Sequence, residues 1–300
     1  MYPLTYIEPV FRPPSEWKSL ILQVTNGCSW NRCTFCEMYT AEQKKFKPKK
    51  LELIEQEIQT IVNSGLPVGR VFLADGDALM LPFQRLKDIL LLIKKYLPTV
   101  TRVSSYCLPR NLSNKTVEQL AELRELGLKL VYVGCESGDD DVLKLIDKGE
   151  TYTSSLIALN KIKQAGIKSS VMILNGLGGP ALSKQHAINS ARLMNEAQPD
   201  YLSTLVVSFP LGEERFAKRF EEFDLQRFRM LNQHELFQEM KWLLTELSLA
   251  KTIFRSDHAS NYLVLKGVLG QDKTKLLQLV NEAIERPSNV MLRQEWQRGL

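Results

Sequence analysis

The sequence is first narrowed by what it lacks. No run of about 18 apolar residues is present, so no membrane-crossing helix is expected. The opening Met1-Tyr2-Pro3-Leu4 shows no basic stretch followed by an apolar one. No secretory leader is read there, and a cytoplasmic protein is expected. Histidine is scarce: His186, His234 and His258 are the three, and no two stand at a metal-ligand spacing. Five cysteines in 300 residues are too few and too uneven for the disulfide framework of a secreted protein. Charge of one sign is also lacking. The 39 basic and 34 acidic side chains leave a net charge of +5, which permits an anionic substrate without demanding nucleic acid. With 44% hydrophobic and 24% charged residues the chain is not disordered in composition, and its length suffices for one large domain.

The residues present alternate between two periods. Residues 1–17 carry Pro3, Pro9, Pro13 and Pro14 and are expected to be extended. Short apolar runs at Leu20–Val24, Val71–Ala74, Arg102–Ser105, Leu128–Val133, Lys168–Leu174 and Tyr201–Val207 predict buried strands. Between them lie amphipathic helical patterns. Leu51, Ile54, Ile58, Ile61 and Val62 share one face, and Phe83, Leu86, Leu90 and Ile93 repeat it before Pro98. Val117, Leu120 and Leu123 form a third pattern, and Leu156, Leu159 and Ile162 a fourth with Thr153 as its N-cap. Ser183 is the expected cap of a helix reaching Pro199. Six strands alternating with helices predict parallel βα units, as an open or closed barrel or a doubly wound sheet. After residue 212 the alternation stops. Two helices are expected, Gln233–Leu249 and Lys273–Glu285, with a short strand within Thr252–Leu265.

Three of the five cysteines, Cys28, Cys33 and Cys36, fall within nine residues, directly after the first predicted strand. In a βα barrel such loops form the catalytic face. Thiolates are soft ligands that suit iron–sulfur clusters and zinc alike. Three nearby thiols would leave one position of a four-iron cluster open, which is what metal catalysis needs. The competing reading is a structural zinc site completed by a distant His or Cys. Just beyond, Lys44, Lys45, Lys47, Lys49 and Lys50 crowd one stretch. They read either as a solvated loop or as an electrostatic guide for a phosphate or carboxylate.

The run Gly27-Cys28-Ser29-Trp30-Asn31-Arg32-Cys33-Thr34-Phe35-Cys36-Glu37-Met38-Tyr39 resembles the radical S-adenosylmethionine (SAM) superfamily. That family carries C-x3-C-x2-C after the first strand of a partial (β/α)6 TIM-like barrel. Here the first spacing is one residue longer, as in a less-characterised subgroup. The resemblance covers roughly residues 18–212 and implies a barrel core there, with a mainly helical C-terminal extension over 213–300. It implies that Cys28, Cys33 and Cys36 ligate a 4Fe–4S cluster and that S-adenosylmethionine binds its fourth iron. Asp75-Gly76-Asp77 stands where the family has Gly-Gly-Glu, so Gly76 and Asp77 would receive the cofactor's amino group. Gly134-Cys135-Glu136-Ser137-Gly138 is similar to the family's Gly-x-Glu-Ser-Gly element. It puts Glu136 at the ribose or amino group and Ser137 beside it. Lys148 would pair the cofactor carboxylate. Asn175, in Leu174–Gly179, belongs to a turn whose backbone approaches the adenine, and Phe35 would contact the adenine ring.

The activity so implied is reductive cleavage of S-adenosylmethionine to methionine and a 5′-deoxyadenosyl radical that acts on a substrate. An external one-electron reductant such as flavodoxin or ferredoxin is implied with it. Cys107 and Cys135 end the third and fourth strands and are candidate hydrogen-atom donors or covalent acceptors. Against this stands the reading of each as a small buried hydrophobe. His258, in the polar run Arg255–Tyr262, is a candidate proton shuttle. Arg110-Asn111, after the third strand, is a candidate anion contact. Two other functions are compatible with the residues: a radical enzyme that modifies tRNA or another nucleic acid, and a non-catalytic zinc or iron–sulfur protein. Neither substrate nor oligomeric state is encoded in a recognisable way, since fold and cofactor do not fix substrate.

Overall fold

The computed structural model describes residues 2–223, 225 and 228–299. In chain order its elements are β1 (Leu20–Gln23), β2 (Thr25–Asn26), β3 (Lys47–Pro48), α1 (Leu51–Asn63), β4 (Arg70–Ala74), α2 (Phe83–Tyr96), β5 (Arg102–Cys107), α3 (Val117–Glu125), β6 (Leu128–Glu136), α4 (Asp140–Leu145), α5 (Tyr152–Gln164), β7 (Lys168–Asn175), α6 (Gly179–Ala197), β8 (Tyr201–Val206), α7 (Glu214–Glu222), α8 (Gln233–Glu246), β9 (Ile253–Ser256), β10 (Leu265–Val268) and α9 (Leu269–Glu285). The class is α/β, with the strand–helix alternation of a partial TIM-like barrel. All six strands expected from apolar runs are present, each within two or three residues of its expected bounds. No helix among the described residues is long and apolar enough to cross a membrane.

The chain divides into two compact units. One runs from the N-terminus to Asn31 and includes Met38–Gly134 and Ala158–Ser169. The other comprises Arg32–Glu37, Cys135–Ile157 and Ser170 to the C-terminus. In the first, β1, β4, β5 and β6 pair in parallel in that order. Val71, Phe72, Leu73 and Ala74 are all fully buried, the continuous apolar run expected of a strand covered on both faces. Helix α1 buries Ile54, Ile58 and Ile61, and α2 buries Leu86, Ile89, Leu90 and Ile93, at the i, i+3, i+4, i+7 spacing of one helical face. Each such side chain contributes roughly 1.5–3 kcal/mol by leaving water.

In the second unit β7, β8 and β9 are parallel and β10 is antiparallel to β9. The C-terminal segment therefore holds two strands where one was expected. Helix α8 starts at Gln233 because Asn232 caps it. The Asn232 Oδ1 accepts from the Glu235 N–H at 3.0 Å, and a Glu235 carboxylate oxygen accepts from the Asn232 N–H at 2.9 Å. Arg229 clamps the same carboxylate at 2.6 and 2.7 Å, and that hydrogen-bonded guanidinium pulls the Glu235 carboxyl down to about 2.

Three local expectations are corrected. Helix α5 begins one residue before Thr153, and Thr151 is its cap. Thr151 Oγ1 accepts from the Ser154 N–H and Ser154 Oγ from the Thr151 N–H, at 3.0 and 2.9 Å, a reciprocal box the sequence disguises with three adjacent hydroxyl residues. Ser183 caps nothing. Helix α6 starts at Gly179 with Pro180 in its first turn, and Ser183 faces inward. The lysine run is not wholly solvated. Lys45, Lys47 and Lys50 are exposed, but Lys44 is 0% exposed, its ammonium paired with the equally buried Asp75.

That pair joins the segment after β2 to the end of β4. Lys44 Nζ also donates to the Ile7 carbonyl at 2.9 Å, and Asp75 Oδ2 accepts from Gln23 Nε2 at 3.3 Å and from the Gly27 N–H at 3.4 Å. Removing one partner of such a pair strands the other charge in the interior. Lys44→Met should therefore destabilise the metal-free protein by about 3–5 kcal/mol, read as a lower urea midpoint. The double variant Lys44→Met/Asp75→Asn, with no unpaired charge, should recover a large part of the loss. An unchanged midpoint in the single variant would contradict the burial of the pair.

Candidate functional site

The N-terminal half of the cysteine segment lies in the first unit. After β1 the chain makes a two-residue antiparallel pair, Thr25–Asn26 with Lys47–Pro48, and turns at Gly27. Gly27 has φ +67°, and a Cβ there would overlap the Lys44 carbonyl, so this turn into Cys28 requires glycine. Beyond it Ser29 is held by Asp77. One Asp77 oxygen accepts from the Ser29 N–H at 2.9 Å, and the other from the Ser29 hydroxyl and from Asn111 Nδ2, the latter at 3.3 Å. Asn111 in turn accepts from the Leu108 N–H at 2.7 Å. Burial pushes the Asp77 carboxyl up, while the bonds from Ser29 and Asn111 and the charge of Arg110 oppose it. Asp77 thus braces the residue next to Cys28. Gly76 packs equally closely. A Cβ at 76 would come within 2.7 Å of the Tyr39 ring and 3.0 Å of the Cys28 Cβ. The Arg110 guanidinium lies 3.7 Å from the centroid of the Trp30 ring, a cation–π contact.

The C-terminal half of the segment lies in the second unit. The Cys36 N–H donates to the Cys33 carbonyl at 3.2 Å, closing a tight turn between the two thiols. The Thr34 N–H donates to the Ile146 carbonyl at 3.0 Å, Arg32 pairs with Asp147 at 3.1 Å, and Arg215 donates to the Arg32 carbonyl at 2.9 Å. Glu37 accepts from the Leu211 N–H at 3.1 Å. Residues 32–37 are therefore tied to the turn after α4 and to the chain after β8.

The same unit holds a buried cation. Lys148 is 3% exposed and donates to Glu136 at 3.0 Å, with its ammonium 5.9 Å from the Phe35 ring centroid. Burial pushes the Lys148 ammonium down, but the Glu136 carboxylate, helped by Cys33 and Cys36, more than reverses this and leaves it raised. Glu136 ends β6 at φ +64°, an uncommon conformation for a residue with a side chain, which marks an over-determined position. Ser137 is fully buried and 2.8 Å from His186 Nδ1. Asn175 is 3% exposed, and its carbonyl accepts from the Val207 N–H at 3.0 Å.

None of the five cysteines forms a disulfide. Cys28, Cys33 and Cys36 are partly exposed, whereas Cys107 and Cys135 are buried. Burial, reinforced by the charge of Glu136, pushes the Cys135 thiol up to about 12. Cys107 donates to the Leu108 carbonyl at 3.3 Å. His258 is half-buried. Its Nδ1 accepts from the Ser260 N–H at 3.2 Å and lies 2.9 Å from the Ser260 hydroxyl, and its carbonyl accepts from Arg293 at 2.7 Å. Burial, and then the Arg293 charge, push its imidazole down. Among the described residues no three His, Cys, Asp or Glu side chains are gathered into a ready-made metal cage. The donor chemistry nevertheless suits an iron–sulfur cluster: three partly exposed thiols on nine residues, two of them beside a fixed cation.

Sequence reading missed Glu239 of α8. It is 1% exposed, accepts from the Gly176 N–H at 2.7 Å and also bonds Ser183 Oγ. Its signal was available: a glutamate three residues after Leu236 and four before Leu243, on the helix's apolar stripe.

The chain has relatives among known proteins. Heme chaperone HemW of Bacillus subtilis is 25% identical over 160 residues, covering 52% of this chain and 42% of that protein. The 4′-phospho-dehydrooxetanocin synthase of Priestia megaterium is 26% identical over 165 residues, covering 50% of this chain and 22% of that protein. The chain thus spans less than half the length of either. Among solved structures, coproporphyrinogen III oxidase (HemN) from Escherichia coli, described as a radical SAM enzyme, has the same fold, with a TM-score of 0.56 at 16% identity. The match covers 91% of this chain and 70% of that one. The family model described as "Radical SAM superfamily" matches residues 22–194, more than half of the chain, and the protein belongs to that superfamily.

Proposed function

We propose that this chain is a radical SAM enzyme that cleaves S-adenosylmethionine at a 4Fe–4S cluster and acts on a substrate of unassigned class. The observation that carries this reading is the thiol set of Cys28, Cys33 and Cys36 in a chain of this superfamily, with the buried Lys148 ammonium beside Cys33 and Cys36. A cluster held there would supply one-electron reduction of the sulfonium of S-adenosylmethionine, the chemistry that releases methionine and a 5′-deoxyadenosyl radical.

The chain's own residues hold and orient. Cys28, Cys33 and Cys36 are the ligands, and Lys148, beside Cys33 and Cys36, pairs the cofactor's carboxylate. Glu136, fixed at the strand end by Lys148, accepts from the cofactor's amino or ribose groups. Ser137 supports that turn, Phe35 offers an apolar face to the adenine, and the Asn175–Gly176 turn offers backbone to it. Gly76 lets its own turn pack against Cys28, while Asp77 acts through Ser29 on the cysteine segment. Residues 18–212 are assigned as the catalytic core and 213–300 as its extension. An external one-electron donor of the flavodoxin or ferredoxin kind supplies the reductant. The buried thiols of Cys107 and Cys135 fit packing roles better than substrate chemistry. His258 fits a support of the 257–262 turn.

Anaerobic reconstitution with iron and sulfide, followed by dithionite and S-adenosylmethionine, tests the reading. Wild type should bind about four irons per chain and release 5′-deoxyadenosine, and Cys36→Ala should do neither. Stoichiometric zinc, with no 5′-deoxyadenosine from wild type, would overturn it in favour of a structural metal site. Lys148→Met should retain iron but raise the KM for S-adenosylmethionine about tenfold or more, through loss of a charge-assisted pair. An unchanged KM would remove Lys148 from the cofactor site.

A further inference from the structure

Glu239 is a carboxylate in an apolar stripe. Leu236, Met240 and Leu243 flank it on α8, and all are buried. Such a group is retained against a desolvation cost only where its bonds accomplish something a leucine would not. Both its oxygens are engaged. One accepts the Gly176 N–H at 2.7 Å, and the other bonds the Ser183 hydroxyl. Gly176 has φ +88° and leaves the β7 ladder at once, so its N–H has no strand partner to return to.

A second set of buried bonds centres on His186, one turn along α6 from Ser183. Its Nε2 lies 4.0 Å from Glu239 and 3.0 Å from the Leu174 carbonyl. A carbonyl only accepts, so Nε2 carries the proton and donates to Leu174. The His186 Nδ1 lies 2.8 Å from the Ser137 hydroxyl, and Ser137 Oγ accepts from the Asp139 N–H at 3.0 Å. Buried bonds thus join α8 to the turn after β7 and to α6 at Ser183, and join α6 at His186, one turn further along, to β7 and to the turn after β6. Burial pushes the Glu239 carboxyl up, and the neighbouring His186 opposes it. The register of α8, and with it the position of Glu239, is set one turn earlier by the Asn232–Glu235 box.

We propose that Glu239 is a positioning residue for the cofactor: it fixes the Gly176 turn directly and, through Ser183, anchors α6, whose His186 bonds Ser137. The C-terminal helix thereby holds in place the two turns that meet S-adenosylmethionine. This rests on the reading, given above, of the turns after β6 and β7 as cofactor turns. Glu239→Ala removes the acceptor and leaves the Gly176 N–H orphaned. Glu239→Gln keeps an acceptor for Gly176 and a donor for Ser183.

The test is titration of S-adenosylmethionine into the reduced, reconstituted protein, followed by the change in the cluster's EPR signal. Iron content is measured alongside. Glu239→Ala should bind S-adenosylmethionine about tenfold more weakly at unchanged iron content, the loss expected for a hydrogen bond to a charged group. Glu239→Gln should stay within about threefold of wild type, the value of a neutral bond substituted for a charged one. If Glu239→Ala does not fold, Ser183→Ala carries the test, with an expected weakening of about threefold. Wild-type affinity in Glu239→Ala, or in Ser183→Ala where that variant stands in, overturns the proposal. A wild type that binds no cluster or no S-adenosylmethionine overturns instead the functional reading on which it rests.

Discussion

The buried Lys44–Asp75 ion pair is the constraint on which the cysteine segment depends. Two opposite charges with no solvent contact are costly to bring into an interior and are held there only by good geometry and further bonds. Here the further bonds come from the residues that must be fixed: the Ile7 carbonyl, Gln23 at the end of β1, and the Gly27 amide one residue before Cys28. An apolar pair of the same volume would fill the space equally well. It would not specify where the backbone of Gly27 lies. The pair exchanges stability for placement, and what it places is the entrance to the thiol segment. Asp75, Gly76 and Asp77 then divide the work at the end of β4. Asp75 anchors the root of the segment, Gly76 allows its close approach, and Asp77 holds Ser29.

The second unit applies the same principle with an inverted purpose. Lys148 and Glu136 are buried at 3% and 7% exposure, and each is the other's partner at 3.0 Å. In the proposed function both would meet the carboxylate and amino groups of the cofactor. Their pairing keeps either charge from being stranded before a ligand arrives. A zwitterionic partner can then exchange for the internal contact at little net cost in charge burial. Lys44 and Asp75, both at 0% exposure, have no solvent contact through which such an exchange could occur.

Much of this was legible from the chain alone. Six apolar runs gave six strands because period and length are local properties. The helices of the core followed from residues such as Ile54, Ile58 and Ile61. The nine-residue thiol segment was legible because chemistry-bearing residues so close in sequence cannot be far apart in space. What was not legible is tertiary. Nothing local distinguishes Lys44 from Lys45, yet one is buried and the other exposed, because only the first has an Asp75 opposite it. Thr151, Thr153 and Ser154 all cap well, and the choice among them was made by where the chain enters α5. Asp77 was read as a cofactor contact from its position. Its oxygens meet Ser29 and Asn111, a partnership 34 to 48 residues distant in sequence that no local pattern announces.

Glu239 shows how a peripheral helix acquires influence over a site. The turn after β7 must leave the strand direction sharply, which strips Gly176 of a ladder partner. Some acceptor has to reach it from outside the sheet. The backbone carbonyls of α8 are consumed within the helix, so the acceptor must be a side chain long enough to cross the gap between helix and turn. A glutamate meets that requirement and serves Ser183 as well, and its charge is moderated by His186 at 4.0 Å. A leucine at 239 would pack better and leave two buried donors unsatisfied, each at a cost of about 1–3 kcal/mol. The polar choice is therefore the one consistent with the turn's geometry. It follows that the geometry of the β6 and β7 turns is set as much by α8 and α6 as by the strands that deliver them.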